Sequence, residues 1–309
     1  MKIQFPSVLL SMWPHLHPTL LPRFGIAGLA LVLMLLSMLV STGRSYAAVL
    51  WQEGFESVPG DWTTEGTPNV WEIGEPTAAN GPRPRSGKAV AGTTLGSNTY
   101  VTGAADLISP EFVVPLANER PRLRYWDWHE TTRTYHYGRL YIRVNGGSWV
   151  NLGQQADGDF GRKWSQRIVD LRAYGGQTVQ IAFGFSARTD VNAAGAGWYI
   201  DDVSIETGPM QFNNPESFEN GFGDWSVNSA IWEIGEPTAA NGPQPRSGKA
   251  VAGTTLGSNS YVTGGADLIS PEFVVPLANE RPRLRYWDWH ETTRTYHYGR
   301  LYIRVNGGS

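Results

Sequence analysis

GRLYIRVNGG, residues 138–147, sets Leu140, Ile142 and Val144 against Arg139, Tyr141 and Arg143 and then turns on Asn145-Gly146. That alternation is the two-residue period of a half-buried β-strand, and Asn-Gly is a tight hairpin turn, so the chain is expected to return through Trp149-Val-Asn-Leu152. Working outward, Gln177–Phe185 (QTVQIAFGF) puts Val179, Ile181, Phe183 and Phe185 on one face. Leu123–His129 (LRYWDWH) is an aromatic strand, Leu107-Ile-Ser-Pro110 with Phe112-Val-Val114 is another with a proline break, and Gly197–Ile205 (GWYIDDVSI) closes the unit. Seven or more short strands between turn residues, with no helical period, predict an all-β antiparallel jelly-roll sandwich.

Composition agrees and narrows the function. Among 309 residues, 36 Gly, 20 Pro and a wealth of aromatics (13 Trp, 13 Tyr, 11 Phe) favour strands and turns over long helices. A net charge of -3 gives no footprint for a phosphate backbone, so nucleic acid is excluded as a partner. The absence of Cys removes disulfides, thiol catalysis and thiolate metal sites. Residues 24–43 carry no charge and contain the apolar run Leu29–Val40, and Ser45-Tyr-Ala47 offers small residues for cleavage. Residues 1–47 therefore read as a signal peptide, with a retained membrane anchor as the alternative, and the rest as secreted or at the cell surface.

The chain repeats itself at an offset of 161. Trp71–Ser148 and Trp232–Ser309 differ at three of 78 positions: Arg83/Gln244, Thr99/Ser260 and Ala104/Gly265. Upstream the copies have drifted, Glu53-Gly-Phe-Glu56 with Gly60-Asp-Trp62 facing Glu216-Ser-Phe-Glu219 with Gly223-Asp-Trp225. This predicts one jelly-roll domain over 48–208, a linker over 209–215, and an incomplete second domain over 216–309 that lacks the counterpart of Trp149–Gly208. The second copy is expected to expose unpaired sheet edges, as a fragment of a longer protein would.

Phe55-Glu56, the run Ser86-Gly-Lys-Ala-Val-Ala-Gly-Thr93, Leu107-Ile-Ser-Pro110, the Asn145-Gly-Gly-Ser-Trp149 hairpin and Gly197-Trp-Tyr-Ile-Asp-Asp-Val203 occur in an order that resembles bacterial MAM-like domains, called choice-of-anchor J or cleaved-adhesin domains. Similar modules trail the catalytic part of secreted peptidases resembling immune inhibitor A. The resemblance covers the first copy and the second until it stops. It implies a jelly roll serving adhesion or the binding of glycans or proteins, and no enzyme.

Catalytic motifs are not met. His129-Glu130 lacks the second His of a zinc protease, position 133 being Arg, and His129 and His136 read as strand-end or loop imidazoles. Gly81–Lys88 (GPRPRSGK) has the wrong spacing for a phosphate loop and two prolines without amide donors, so it reads as a surface loop. Gly-x-Ser-x-Gly is absent. The informative acids are Glu53, Glu56, Asp201 and Asp202. First and last strands are commonly neighbours in a jelly roll, which would converge these carboxylates into an oxygen-rich site suited to a structural calcium, with Glu56 and Asp202 foremost; the resemblance implies the same.

Aromatics concentrate between Trp126 and Tyr141. Trp126 and Trp128 share one face of their strand and Tyr125 and Asp127 the other, so charge predicts the tryptophans inward. That leaves Arg133, Tyr135, Tyr137 and Tyr141 as the candidate ligand-binding set, where aromatic rings stack on sugars and arginine binds their hydroxyls. The resulting expectation is an exported, non-catalytic tandem protein that binds an extracellular glycan or protein partner, two weak sites gaining avidity. Accessory domains of a longer secreted peptidase, or structural spacers of a surface protein, remain as alternatives.

Overall fold

In the computed structural model, which describes residues 47–57, 60–79, 81–96, 102–131, 136–157, 162–188, 196–229, 231–257, 264–292 and 295–305, the chain to Thr207 forms twelve strands. They are β1 (Ala48–Glu53), β2 (Thr63–Gly66), β3 (Glu72–Gly74), β4 (Val90–Gly92), β5 (Gly103–Ile108), β6 (Phe112–Val113), β7 (Arg122–Glu130), β8 (His136–Val144), β9 (Val150–Asp157), β10 (Ser165–Asp170), β11 (Thr178–Ala187) and β12 (Gly197–Thr207). Sheet A runs β10-β7-β12-β4-β3 with β1 also on β12; sheet B runs β2-β5-β11-β8-β9 with β6 also on β11. Every pairing is antiparallel. This is the jelly-roll sandwich that the strand pattern predicts. Among the described residues no helix is long and apolar enough to cross a membrane, and the segment read as a signal peptide lies outside them apart from Ala47.

The alternation that announces each strand also fills the core. Leu140 and Ile142 of β8, Val179, Ile181, Phe183 and Phe185 of β11, and Trp198, Ile200, Val203 and Ile205 of β12 meet between the sheets. Phe183 lies at the centre, its ring 5.1 Å from Tyr125, 5.6 Å from Trp198 and 6.1 Å from Trp62. Each such buried side chain contributes roughly 1.5–3 kcal/mol.

On β7 the faces are the reverse of those predicted. Asp127 points inward with Leu123 and Tyr125, while Trp126 and Trp128 point outward. Charge misleads here because Arg167 of β10 meets Asp127 inside the sandwich through two hydrogen bonds, Nε to Oδ1 at 2.7 Å and Nη2 to Oδ2 at 3.0 Å, with both side chains almost fully buried. Burial alone would raise the Asp127 carboxyl, but the guanidinium and the nearby His129 hold it below the usual carboxylate range. Trp128 is still buried, in a small cluster on the outer surface of sheet A with Val90, Leu95 and Tyr199. His129, next to last in β7, and His136, the first residue of β8, are strand-end imidazoles as expected, and both are buried.

The second copy forms β13 (Ser226–Val227), β14 (Glu233–Gly235), β15 (Val251–Gly253) and β16 (Leu268–Ile269), paired as two short ribbons. Arg283–Val305 repeats Arg122–Val144 residue for residue, yet its described residues contain no strand. Leu284 and Ile303 are 59% and 76% exposed, where their twins Leu123 and Ile142 are fully buried. The cause is pairing. β7 exists between β10 and β12, and β8 between β9 and β11, and residues 1–309 hold only one set of β9 to β12. Appending residues 149–208 after Ser309 is expected to turn 283–305 into strand, read as a gain of β signal in circular dichroism and a blue-shifted tryptophan emission. Unchanged spectra would mean that partner strands are not what the second copy lacks.

Candidate functional site

Strand β8 keeps Leu140 and Ile142 inward, so Tyr137, Arg139, Tyr141 and Arg143 stand on the outer face of sheet B, each partly exposed. Register places them beside β11: Tyr137 opposite Ser186, Arg139 opposite Gly184, Tyr141 opposite Ala182 and Arg143 opposite Gln180. On the far side of β11, Gly184 faces Asp106 of β5, which in turn faces Glu65 of β2. On the outer face a line of small residues, Ala182, Gly184 and Ser186, therefore runs between the aromatic and basic row of β8 and the acidic pair Asp106 and Glu65.

Gly184 lets the two rows meet. A Cβ there would lie 2.5 Å from Asp106 Oδ1 and 2.8 Å from the Tyr141 ring, so only glycine lets that carboxylate and that ring approach across β11. Partial burial, with Glu65 adding its charge, raises the Asp106 carboxyl above its ordinary value. Arg139 lies 4.5 Å over the Tyr137 ring and Arg143 4.6 Å over Trp149, and Arg143 Nε donates to Gln180 Oε1 at 2.8 Å. Cation–π contacts at exposed sites contribute about 0.5–1 kcal/mol each, enough to bias the guanidinium positions before a ligand arrives. Of the four residues predicted to bind ligand, Tyr137 and Tyr141 share this face, while Arg133 and Tyr135 lie outside the described residues. Sequence reasoning missed Asp106 and Gly184. The signals were there: a glycine inside an apolar strand and a lone acid within Gly103–Ile108.

The four predicted metal-site acids gather at one corner of the sandwich. Pairing of β1 with β12 sets Glu53 opposite Val203, next to Asp202, which bulges out of β12 with φ 47°. Their main occupant is the loop read from sequence as a surface loop. Asp201 Oδ2 accepts the amides of Arg85 and Ser86 at 2.9 and 3.2 Å, and Asp202 Oδ1 accepts Ser86 Oγ at 2.7 Å. Glu56 accepts the amides of Lys88 and Ala89 at 2.9–3.0 Å, which lowers its carboxyl below the ordinary value. These amides are turned to carboxylates, so the loop presents no cradle to a phosphate. Glu53 Oε1 accepts the amide of Phe55 at 2.6 Å.

Glu56 and the aspartates are separable. In the second copy Glu219 accepts the amides of Lys249 and Ala250 in the same way, without any Asp-Asp counterpart. Burial, and then the charge of Asp202, pushes Asp201 up to about 7 despite its three amide donors. Two adjoining carboxylates, one held partly protonated, are a donor pair that fits a hard cation once backbone and water oxygens complete the shell. Among the described residues no three acids or histidines are grouped as a metal set by themselves.

No protein-family model matches the chain. Bacillopeptidase F of Bacillus subtilis (strain 168) is 33% identical over 157 residues, 50% of this chain, and the chain spans 10% of the length of that relative. Among solved structures, the K1 cleaved adhesin domain of Lys-gingipain from Porphyromonas gingivalis W83 is 19% identical with a TM-score of 0.34, covering 52% of this chain and 97% of that one. TmCBM61 in complex with β-1,4-galactotriose is 15% identical with a TM-score of 0.36, covering 49% and 92%.

The tie at Glu56 is directly testable through Gly87, which has φ +57° and whose added Cβ would lie 2.2 Å from Glu56 Oε1. Gly87→Ala is expected to cost more than the roughly 1 kcal/mol of left-handed strain alone, because the carboxylate must also leave its amides. Thermal unfolding of Gly87→Ala against Glu56→Gln measures this. A loss in Gly87→Ala no larger than the strain would show that the carboxylate moves aside freely.

Proposed function

We propose that this chain is an exported, non-catalytic binding protein built from tandem jelly-roll units, and that the outer face of sheet B receives a glycan. The observation that carries the reading is the approach of the Tyr141 ring and the Asp106 carboxylate across Gly184. A sugar ring offers an apolar C–H face and paired hydroxyls. Tyr137 and Tyr141 supply flat apolar surfaces, Asp106 and Glu65 accept hydroxyl protons, and Arg139 and Arg143 donate to hydroxyl oxygens. All of these project from strands, so the face is formed before ligand arrives. The alignment with part of Bacillopeptidase F favours a second reading, an accessory unit of a larger peptidase whose partner is a protein.

Glycan-array binding by the whole chain decides between them. Tyr141→Ala and Gly184→Val, the latter placing a side chain against Asp106 and Tyr141, are expected to weaken binding about tenfold or more while the melting temperature of Tyr141→Ala changes little. Binding that survives both substitutions would move the site elsewhere; no glycan binding by the parent would favour the protein partner.

We also propose that a calcium ion sits against Asp201 and Asp202, with Glu53 nearby, and ties β1 to β12 where a disulfide is lacking. The sign of its pH dependence follows from Asp201. Without metal its folded carboxyl titrates at about 7 against 3.8 in the unfolded chain, so its contribution to stability is full below pH 4 and is lost as pH rises through 7. Calcium opposes that loss by compensating the ionised pair. The stabilisation conferred by calcium over chelator is therefore expected to grow between pH 4 and 8, measured by calorimetry. An increment of zero at pH 8 would remove calcium from this corner.

A further inference from the structure

The outer face of sheet A is covered by the second copy. Phe222, only 7% exposed, packs edge-on to Trp126 with ring centroids 5.4 Å apart, and Arg85 lies 4.1 Å over the same indole. Beside them Arg124 Nη1 donates to the Gly223 carbonyl at 2.9 Å and its guanidinium forms an ion pair with Asp224. Gln166 Nε2 donates to the carbonyls of Gly223 and Trp225, both at 2.8 Å. Arg167, already bound to Asp127 in the core, reaches the Val227 carbonyl with Nη1 at 3.2 Å. Arg124 is in turn bound by Glu206 of β12, which also binds Arg122, so the ion-pair chain runs from the middle of sheet A into the second copy.

We propose that this face is a socket for the Phe-Gly-Asp-Trp segment of the following copy, so that successive copies stack in a fixed head-to-tail order instead of swinging on a tether. Three observations support it. The contact is complementary in kind: aromatic on aromatic, arginine on aspartate, and side-chain donors on the carbonyls of Gly223, Trp225 and Val227. The segment that docks belongs to the part in which the copies differ, Phe222 standing where the first copy has Pro59, whereas Arg85, Arg124 and Trp126 of the socket belong to the near-identical part and Gln166 and Arg167 lie beyond it. Parts of both halves also recur. The first copy carries Gly60-Asp-Trp62 with Asp61 exposed, and the second carries Arg285 and Trp287, with Arg246 4.6 Å over Trp287 as Arg85 lies over Trp126. A contact with different halves on its two sides is heterologous, so the same contact can repeat from one copy to the next.

The chain has no cysteine, so a reporter pair is free of background. Arg172 and Glu272 form an exposed ion pair across the two copies at 3.1 Å, apart from the socket. In the full chain carrying Arg172→Cys and Glu272→Cys, a short bis-maleimide is expected to join the two rapidly within one molecule, and urea is expected to abolish the reaction. Adding Phe222→Ala or Asp224→Ala is expected to slow cross-linking about fivefold or more, with the melting transition of the first copy still present. Asp224→Ala removes no buried apolar group, so it remains informative if Phe222→Ala misfolds. Equal rates with and without these substitutions, or no cross-link in the parent, would overturn the socket.

Discussion

Pairing along β12 is the constraint on which the first copy depends. This strand bonds to β7, β4 and β1, so it joins the last residues of the unit to its first, its middle and its early hairpin. All three contacts are separated by long stretches of chain, and the entropy of closing such loops is recovered only when the whole set forms. The second copy shows the consequence within the same molecule. Identical residues without these partners in contact form no strand among those described and are exposed, although their alternation and aromatic content are unchanged. Strand propensity here is a capacity to fit a sheet, and the sheet must be supplied from elsewhere in the sequence.

Once β12 is in place, the two outer faces of the sandwich diverge. Sheet A presents large side chains, Arg124, Trp126 and Gln166, and these are occupied by the second copy. Sheet B presents a floor of Ala182, Gly184 and Ser186, and the described second-copy residues contribute none of the contacts that shape it. Floor residues differ because of β11 itself. Its inward positions carry Phe183 and Phe185, while outward positions 182, 184 and 186 are Ala, Gly and Ser, so one strand thickens the core and leaves room over it for Asp106 and Tyr141 to approach.

Much of this was legible in the sequence. Strict alternation in β8 and β11 gave the strands and their inward residues, and the neighbourhood of Phe55-Glu56 with Asp201-Asp202 followed from jelly-roll connectivity. The facing of β7 was not legible, because a rule that sends charge outward cannot see that Arg167, forty residues later, will meet Asp127 inside. Nor was the role of the loop Arg85–Ala89. Its amides attach to carboxylates 32 to 116 residues away, and nothing in the local composition marks a loop whose donors are already assigned. Gly184 reads in sequence as part of an apolar strand, but its importance is a tertiary clearance between Asp106 and Tyr141, a distance no spacing rule contains.

The same reasoning accounts for where the copies differ. From Trp71 and Trp232 onward three differences in 78 positions separate the copies. Before those tryptophans the surroundings are not equivalent. Asp61 meets solvent, whereas Asp224 meets Arg124, and Phe222 fills the edge of Trp126. A proline at 222 would forfeit that aromatic contact, and a bare phenylalanine in the first copy would have no indole to cover it within this chain. The common Gly-Asp-Trp places its tryptophan against the same neighbour in each copy: Trp62 packs against Phe55 as Trp225 packs against Phe218.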